Sequence, residues 1–333
     1  MNRREIIAGL LFAATIGRAH AQQKVTIYRL AVVHPSVPVS DISETGNLRY
    51  VAFFRRLREL GYVEGRNLAV ERYSGEGRTE HFAELAHEVV RGNPDLILAA
   101  VDPLAREVKA ATDSIPVVAL VADPVAEGIV PSLARPGGNI TGVMIDADVV
   151  GTFGRRLELL REMVPTATRV GYLGSHSLWE PPYGEGFQKT AQRLNIALLG
   201  PPLDAPFVEA EYRRVFAAMA QDGADALMVS AIPANIDNRQ LIVELAEKYR
   251  LPASYWYRTF ADIGGLMVYG VDLPDIYRQA ADQVDMIFKG TKPAEIPFFQ
   301  PTKFELIINM KTAKALGITV PPTLLIAAGE VIE

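Results

Sequence analysis

The 333-residue chain contains no cysteine. Disulfides, thiolate metal sites, a cysteine nucleophile and a lipid-modified cysteine are therefore excluded. No apolar run is long enough for a bilayer either: Ile6 to Ile16 is shorter than the ~20 residues a spanning helix needs, and no later run is longer than that limit. Positive charge is scarce. Lys and Arg number 34 against 39 Asp and Glu, a net charge of −5, and no basic run with interleaved aromatics offers a footing for nucleic acid. The chain also lacks a Gly-x-Ser-x-Gly elbow and a Walker loop. Of the five histidines, only His81 and His87 are near in sequence, and a spacing of six puts them on different faces of a helix. Neither a metal site nor a cofactor is expected.

What is present begins with a basic start, Arg3-Arg4, an apolar run, and Ala19-His20-Ala21, the small-x-small pattern that signal peptidase accepts. Residues 1–21 read as a cleaved export signal, of the Sec or the twin-arginine kind. Its removal leaves 31 basic and 38 acidic residues, a net charge of about −7. The mature chain is expected to be soluble in the periplasm. With 49% hydrophobic and 22% charged residues, it is long enough to bury two separate cores.

From residue 25 onward, apolar runs of strand length alternate with amphipathic stretches of helix length, the pattern of parallel α/β architecture. Strands are predicted at Ile27–His34, Leu68–Tyr73, Asp95–Ala100, Pro116–Val121, Asn139–Ile145, Arg169–Gly174, Ile196–Leu199, Asp225–Ser230, Pro252–Tyr257, Gly265–Gly270 and Phe304–Asn309. Tyr50, Phe53, Phe54, Leu57 and Leu60 recur at helical spacing and form one apolar stripe, with Gly61 as the stop. Further helices are predicted at Glu80–Arg91, Leu104–Thr112, Thr152–Met163, Gly184–Leu194, Phe207–Gln221, Asn235–Arg250 and Leu273–Lys289. So many strands exceed one comfortable sheet, so two doubly wound lobes are expected.

The stretch Arg135-Pro136-Gly137-Gly138-Asn139-Ile140-Thr141-Gly142-Val143 invites three readings. A phosphate loop needs its glycines between strand and helix, whereas here a turn precedes a strand. The sequon at Asn139 lies inside that strand, behind a bacterial-looking signal, which argues against glycosylation. A turn leading into a hinge crossover remains the better reading.

Together with Glu59-Leu60-Gly61-Tyr62-Val63-Glu64-Gly65, Asp123-Pro124-Val125, Gly264 to Gly270, Pro301 to Asn309 and the tail Lys314 to Pro322, this stretch resembles the ABC-transporter substrate-binding proteins of the tryptophan-binding TrpX type. The resemblance covers essentially the whole mature chain. It implies a type I periplasmic-binding fold, two lobes joined by three crossovers near Thr141–Ile145, Val268–Asp272 and Pro301–Phe304. The lobes would then be residues 25–141 plus 271–301 and residues 142–270 plus 302–333. A monomer is implied that closes on a small solute, aromatic or amphiphilic, and presents it to an ABC permease in the inner membrane.

In an open α/β sheet, ligands are held at the carboxyl ends of the strands, against helix N-termini. The loops there supply His34, Ser36, Asp102, Asp123, Ser175, His176, Trp179, Ser230, Tyr255, Trp256 and Tyr257 as candidates. Asp102-Pro103 and Asp123-Pro124 also fit helix starts, so each acid is either a cap or a ligand for an ammonium group. Trp256 is expected to face the cleft, with Tyr255 and Tyr257 on alternate sides. Trp179 fits a lid residue and a surface anchor equally. A secreted two-lobed hydrolase would need a nucleophile–base or carboxylate pair that the sequence does not offer. A solute sensor serving a membrane kinase stays open beside the transport reading. If the export reading holds, N-terminal sequencing of periplasmic protein finds Gln22 first; an intact Met1 there overturns it.

Overall fold

A computed structural model describes residues 26–146 and 148–333. Residues 1–21, where an export signal is expected, lie outside the described residues. Five strands, β1 (Tyr28–His34), β2 (Leu68–Ser74), β3 (Leu96–Ala100), β4 (Val117–Val121) and β5 (Ile140–Met144), form an all-parallel sheet in the order β2-β1-β3-β4-β5. Seven more form a second sheet: β6 (Arg169–Leu173), β7 (Ala197–Leu199), β8 (Ala226–Val229), β9 (Ala253–Tyr255), β10 (Met267–Val271), β11 (Phe304–Asn309) and β12 (Glu330–Ile332). Their order is β12-β11-β10-β9-β8-β6-β7, parallel except where β10 meets β11. Helices cover both faces of each sheet, giving the two doubly wound lobes that the alternation called for.

The central strands are buried throughout, as parallel strands sandwiched by helices must be, and their Val, Ile, Leu and Ala runs are the sequence record of that burial. Helix Leu48–Glu59 buries Tyr50, Phe53, Phe54 and Leu57 of the stripe read from the sequence, while Leu60 is its half-buried C-cap. It packs against helix Leu273–Phe288, so the chain, having run through β6 to β10, comes back to the first sheet. Residues beyond that helix stay there: the Phe299 backbone pairs with β5, its N–H donating to the Gly142 carbonyl (2.9 Å) and its carbonyl accepting from the Met144 N–H (2.8 Å). The chain thus passes between the sheets three times, after β5, after β10 and before β11. Among the described residues, no helix is long and apolar enough to cross a membrane.

Several boundaries differ from the sequence expectation. β12, too short and too polar to stand out, is recruited at the edge by parallel pairing with β11. The single helix expected over 235–250 is two, Pro233–Asp237 and Arg239–Lys248, because the Asn238 side chain donates to the Ala234 (2.9 Å) and Phe207 (3.3 Å) carbonyls at the break. The strand expected to reach Tyr257 stops at Tyr255, and Trp256 and Tyr257 turn into the short helix Arg258–Ala261.

The Arg135 to Val143 stretch is chain geometry. Gly137 and Gly138 both sit at φ +66°, the left-handed region that favours glycine. Asn139 uses its side-chain amide to bond the Ile115 (2.8 Å) and Thr112 (3.3 Å) carbonyls, and Thr141 donates its hydroxyl to the Ile296 carbonyl (2.7 Å). Gly142 sits against β4, where a Cβ would come within 2.0 Å of the Ala119 carbonyl oxygen. The two positions separate backbone strain from steric overlap. Gly138→Ala, with open space around it, should cost about 1–2 kcal/mol. Gly142→Ala should cost about 3 kcal/mol or more. Urea denaturation of both variants measures this; equal costs would show that the β4–β5 approach is not tight.

Candidate ligand-binding site

Two carboxyl-terminal sheet edges face each other. Burial pushes the Tyr183 phenol, at the start of a second-sheet helix, up to about 12, and the carboxylates of Asp102, Asp123 and Glu127 on first-sheet loops add to that rise. The hydrophobic core runs through the same junction, from Leu30 and Val32 of β1 by way of Trp256, Tyr257 and Tyr277 to Tyr212 and Phe216.

On the first-sheet side, β1 ends at His34, which is buried. Its Nδ1 accepts the backbone N–H groups of Ser36 (3.1 Å) and Val37 (2.9 Å), so the ring proton resides on Nε2. Burial, with the Arg49 charge beside it, holds the imidazole pKa well below the usual range, and the ring is neutral. His34 Nε2 lies 3.3 Å from Nη1 of Arg49. Arg49 is only 5% exposed, and its Nε donates to Asn47 Oδ1 (3.0 Å), the same oxygen that caps its helix. Burial opposes its charge, and the surrounding phenols of Tyr277, Tyr50 and Tyr257 and the more distant Asp237 more than offset that. Among the described residues, no carboxylate forms an ion pair with Arg49.

Where β5 ends, Asp146 is 4% exposed. Its Oδ1 accepts from the Asp148 N–H (3.0 Å) and the Thr152 hydroxyl (2.9 Å), fastening the start of helix Val149–Met163, while Oδ2 is buried with no partner. Burial raises this carboxyl's pKa against the pull of those hydrogen bonds. That helix buries Arg156, 1% exposed, whose Nη2 donates to the carbonyls of Val229 (2.9 Å) and Ser254 (2.7 Å) at the ends of β8 and β9. Burial pulls its pKa down to about 10. Its guanidinium lies 5.2 Å from the ring centre of Trp256, which is 5% exposed and leaves its indole N–H unpartnered. Tyr257 follows, buried within reach of the charges of Arg49, Asp146 and Arg156 alike.

The structure thus brings His34, Trp256 and Tyr257 together, with Ser36 beside them carrying a buried, unpartnered hydroxyl. Other candidates are engaged elsewhere. Both oxygens of Asp102 accept the Ala122 N–H (3.1 Å each) and one also takes that of Asp123 (3.3 Å), so it ties a helix start to the β4 loop. The residue before it, Val101, holds φ +67°, so the helix is not capped by an acid in the ordinary way. Asp123 accepts from the Val125 (3.2 Å) and Ala126 (2.9 Å) N–H groups of its own turn. Ser230 accepts from Asn235 Nδ2 (3.0 Å) in the core. Tyr255 is not on the cleft side: its ring stacks on Phe260 (4.7 Å between centres) inside the second lobe. His176 pairs with Asp204 (2.7 Å) on an exposed surface, next to Ser175, which meets Ser177. Trp179 packs half-buried against Tyr172 as an anchor for its loop.

Arg49, Asp146 and Arg156 went unread in the sequence, although two left a signal. Arg49 stands four before Phe53 and Arg156 three after Phe153, each on the apolar stripe of its helix. A charge at a core position is either paired or functional.

The fold and this enclosed junction define a two-lobed α/β ligand-binding protein. The chain belongs to the family described as ABC transporter substrate binding protein, whose model matches residues 42–332. Among its relatives is the tyrosine-binding protein of Clostridioides difficile, 24% identical over 299 residues, covering 89% of this chain and 81% of that one. An ABC domain in complex with L-Trp from Streptococcus pneumoniae superposes with a TM-score of 0.79 at 24% identity, over 92% of this chain and all of that one. A conserved domain protein from Vibrio cholerae gives 0.80, also at 24% identity, with the same coverage of each chain. The type I periplasmic-binding architecture implied by the sequence is the one shared with these structures, and the family is one of binding proteins, not of enzymes.

Asp146 carries a stability signature that distinguishes a site residue from a scaffold residue. Because its folded pKa lies above the unfolded value, ionising it costs stability as pH rises from the unfolded carboxylate range. Asn in its place keeps an oxygen for Asp148 and Thr152 but carries no charge. Asp146→Asn should therefore be at least as stable as the parent at pH 7, with any advantage vanishing as pH falls towards 4. Urea denaturation at the two pH values checks this; a loss of more than about 1 kcal/mol at pH 7 would make Asp146 a structural cap.

Proposed function

We propose that this protein is the exported solute receptor of an ABC importer and that it closes over an amino acid with a flat, apolar side chain. The supporting observation is the buried wall formed by Trp256 on Arg156, facing a junction where charged and polar atoms are left unpartnered. A stacking surface beside a few placed polar groups is what selects an amphiphilic small molecule. Relatives described as tyrosine-binding and as bound to L-Trp agree with that chemistry. In this reading, residues 25–141 plus 271–301 move against 142–270 plus 302–333, and the three passages absorb the rotation. The mature protein works as a periplasmic monomer and hands its ligand to an inner-membrane permease.

Calorimetric titration with the twenty amino acids tests this, and L-tryptophan and L-tyrosine should give saturable heats. Trp256→Ala should weaken binding by about 1–3 kcal/mol. Parent-like affinity in that variant would show that the aromatic wall lies elsewhere.

A further inference from the structure

The contact between His34 and Arg49 is unsatisfied as it stands. With Nδ1 receiving two amide protons, Nε2 carries hydrogen and points at an arginine that can only donate, 3.3 Å away. Moving the proton to Nδ1 would repair that contact but set the ring N–H against the Ser36 and Val37 donors at 3.1 and 2.9 Å, which is worse. The guanidinium is buried, yet among the described residues no carboxylate forms an ion pair with it. Buried donors left without an acceptor destabilise a fold, and more so when charged. A fold does not usually keep such a pair unless something occupies it.

Resting on the reading of the protein as an amino-acid receptor, we propose that Arg49 and the Nε2–H of His34 share the carboxylate of the ligand, while Asp146 Oδ2 takes its ammonium group. An arginine fork matches a carboxylate, and an imidazole N–H beside it supplies a further donor. The buried Tyr257 phenol is within electrostatic reach of both Arg49 and Asp146, so the two poles lie around one side chain. Arg156, roofed by Trp256, commits its Nη2 to the Val229 and Ser254 carbonyls and keeps only a buried Nε without an acceptor, so it offers an anion a single further donor. One guanidinium without an ion pair, with Asp237 already acting on it, suits a monoanion better than a phosphate dianion. The ligand is thus selected as a zwitterion, at its α-carbon, separately from its side chain.

The test compares mature parent protein, Arg49→Gln and Asp146→Asn with five probes: L-tryptophan, L-tyrosine, tryptamine, tyramine and indole-3-propionate. The parent should bind the amino acids at least about 100-fold tighter than the amines that lack the carboxylate. In Arg49→Gln the gap between amino acid and amine should close; in Asp146→Asn the gap between amino acid and indole-3-propionate should close. Arg49→Lys stands in if Arg49→Gln does not fold and should recover part of the discrimination. Nitrogen-15 NMR of the His34 ring should show the proton on Nε2 without ligand and a shift of that proton when L-tryptophan is added. Amines binding as tightly as amino acids, an Arg49→Gln that discriminates as the parent does, or a proton on Nδ1 would each overturn the proposal. If no aromatic amino acid binds, the aromatic reading fails, and native mass spectrometry of the freshly purified protein decides this one. A retained solute with no carboxylate overturns the clamp; a carboxylic acid lost from Arg49→Gln upholds it. If nothing is retained, the position of the His34 proton decides.

Discussion

Parallel pairing imposes the constraint from which the rest of the molecule follows. Strands that all run one way put every carboxyl end on one edge, and the return helices start there with free N–H groups. In this chain that happens twice, and the two edges are turned towards each other. Charged residues at such a junction are stripped of water when it closes, so each must find a partner or be held in wait for one. Arg156 finds two carbonyls for Nη2 but nothing for Nε, Asp102 finds two N–H groups, Arg49 finds Asn47 for Nε but no carboxylate in ion-pair contact among the described residues, and one oxygen of Asp146 finds no partner there. Those differences in satisfaction, more than residue type, mark where a ligand belongs.

The comparison of Asp102 with Asp146 makes the point within one residue type. Both are acids at the end of a first-sheet strand, Asp102 half-buried and Asp146 buried, and desolvation raises the pKa of both. Asp102 spends both oxygens on the backbone, so its work is to hold the β4 loop against a helix. Asp146 spends one oxygen on the helix that crosses into the second sheet and keeps the other free. Its position therefore couples the crossover to whatever occupies the cleft, since a group bound at Oδ2 also pulls on the start of helix Val149–Met163.

Folding and binding place opposite demands on the same junction. Tyr50, Tyr257, Tyr277 and Trp256 supply ordinary apolar burial and join the cores on either side. The charges among them oppose it, since an uncompensated buried charge is among the costliest features a protein can retain. A closed junction is thus favoured by its rings and disfavoured by its unpaired charges. A zwitterion removes the second term, which gives differential affinity for the closed form its physical source.

The three crossings were implied by the family resemblance, while what the sequence determined alone was the alternation of strands and helices, the two lobes and the turn at Gly137-Gly138. These rest on local patterns: apolar runs of strand length, a helical stripe such as Tyr50 to Leu57, and residues that tolerate positive φ. Neighbours along the chain are enough to set them. Only the tertiary structure decided which polar side chains are spent and which are free. Tyr255 and Trp256 are adjacent, yet one stacks inside a lobe and the other lines the junction, because the strand ends between them. Arg49 and Asp146 are nearly a hundred positions apart and meet around Tyr257, a residue more than a hundred further on. Hydrogen-bond satisfaction and desolvation depend on what the fold packs nearby, and no run of sequence carries that information.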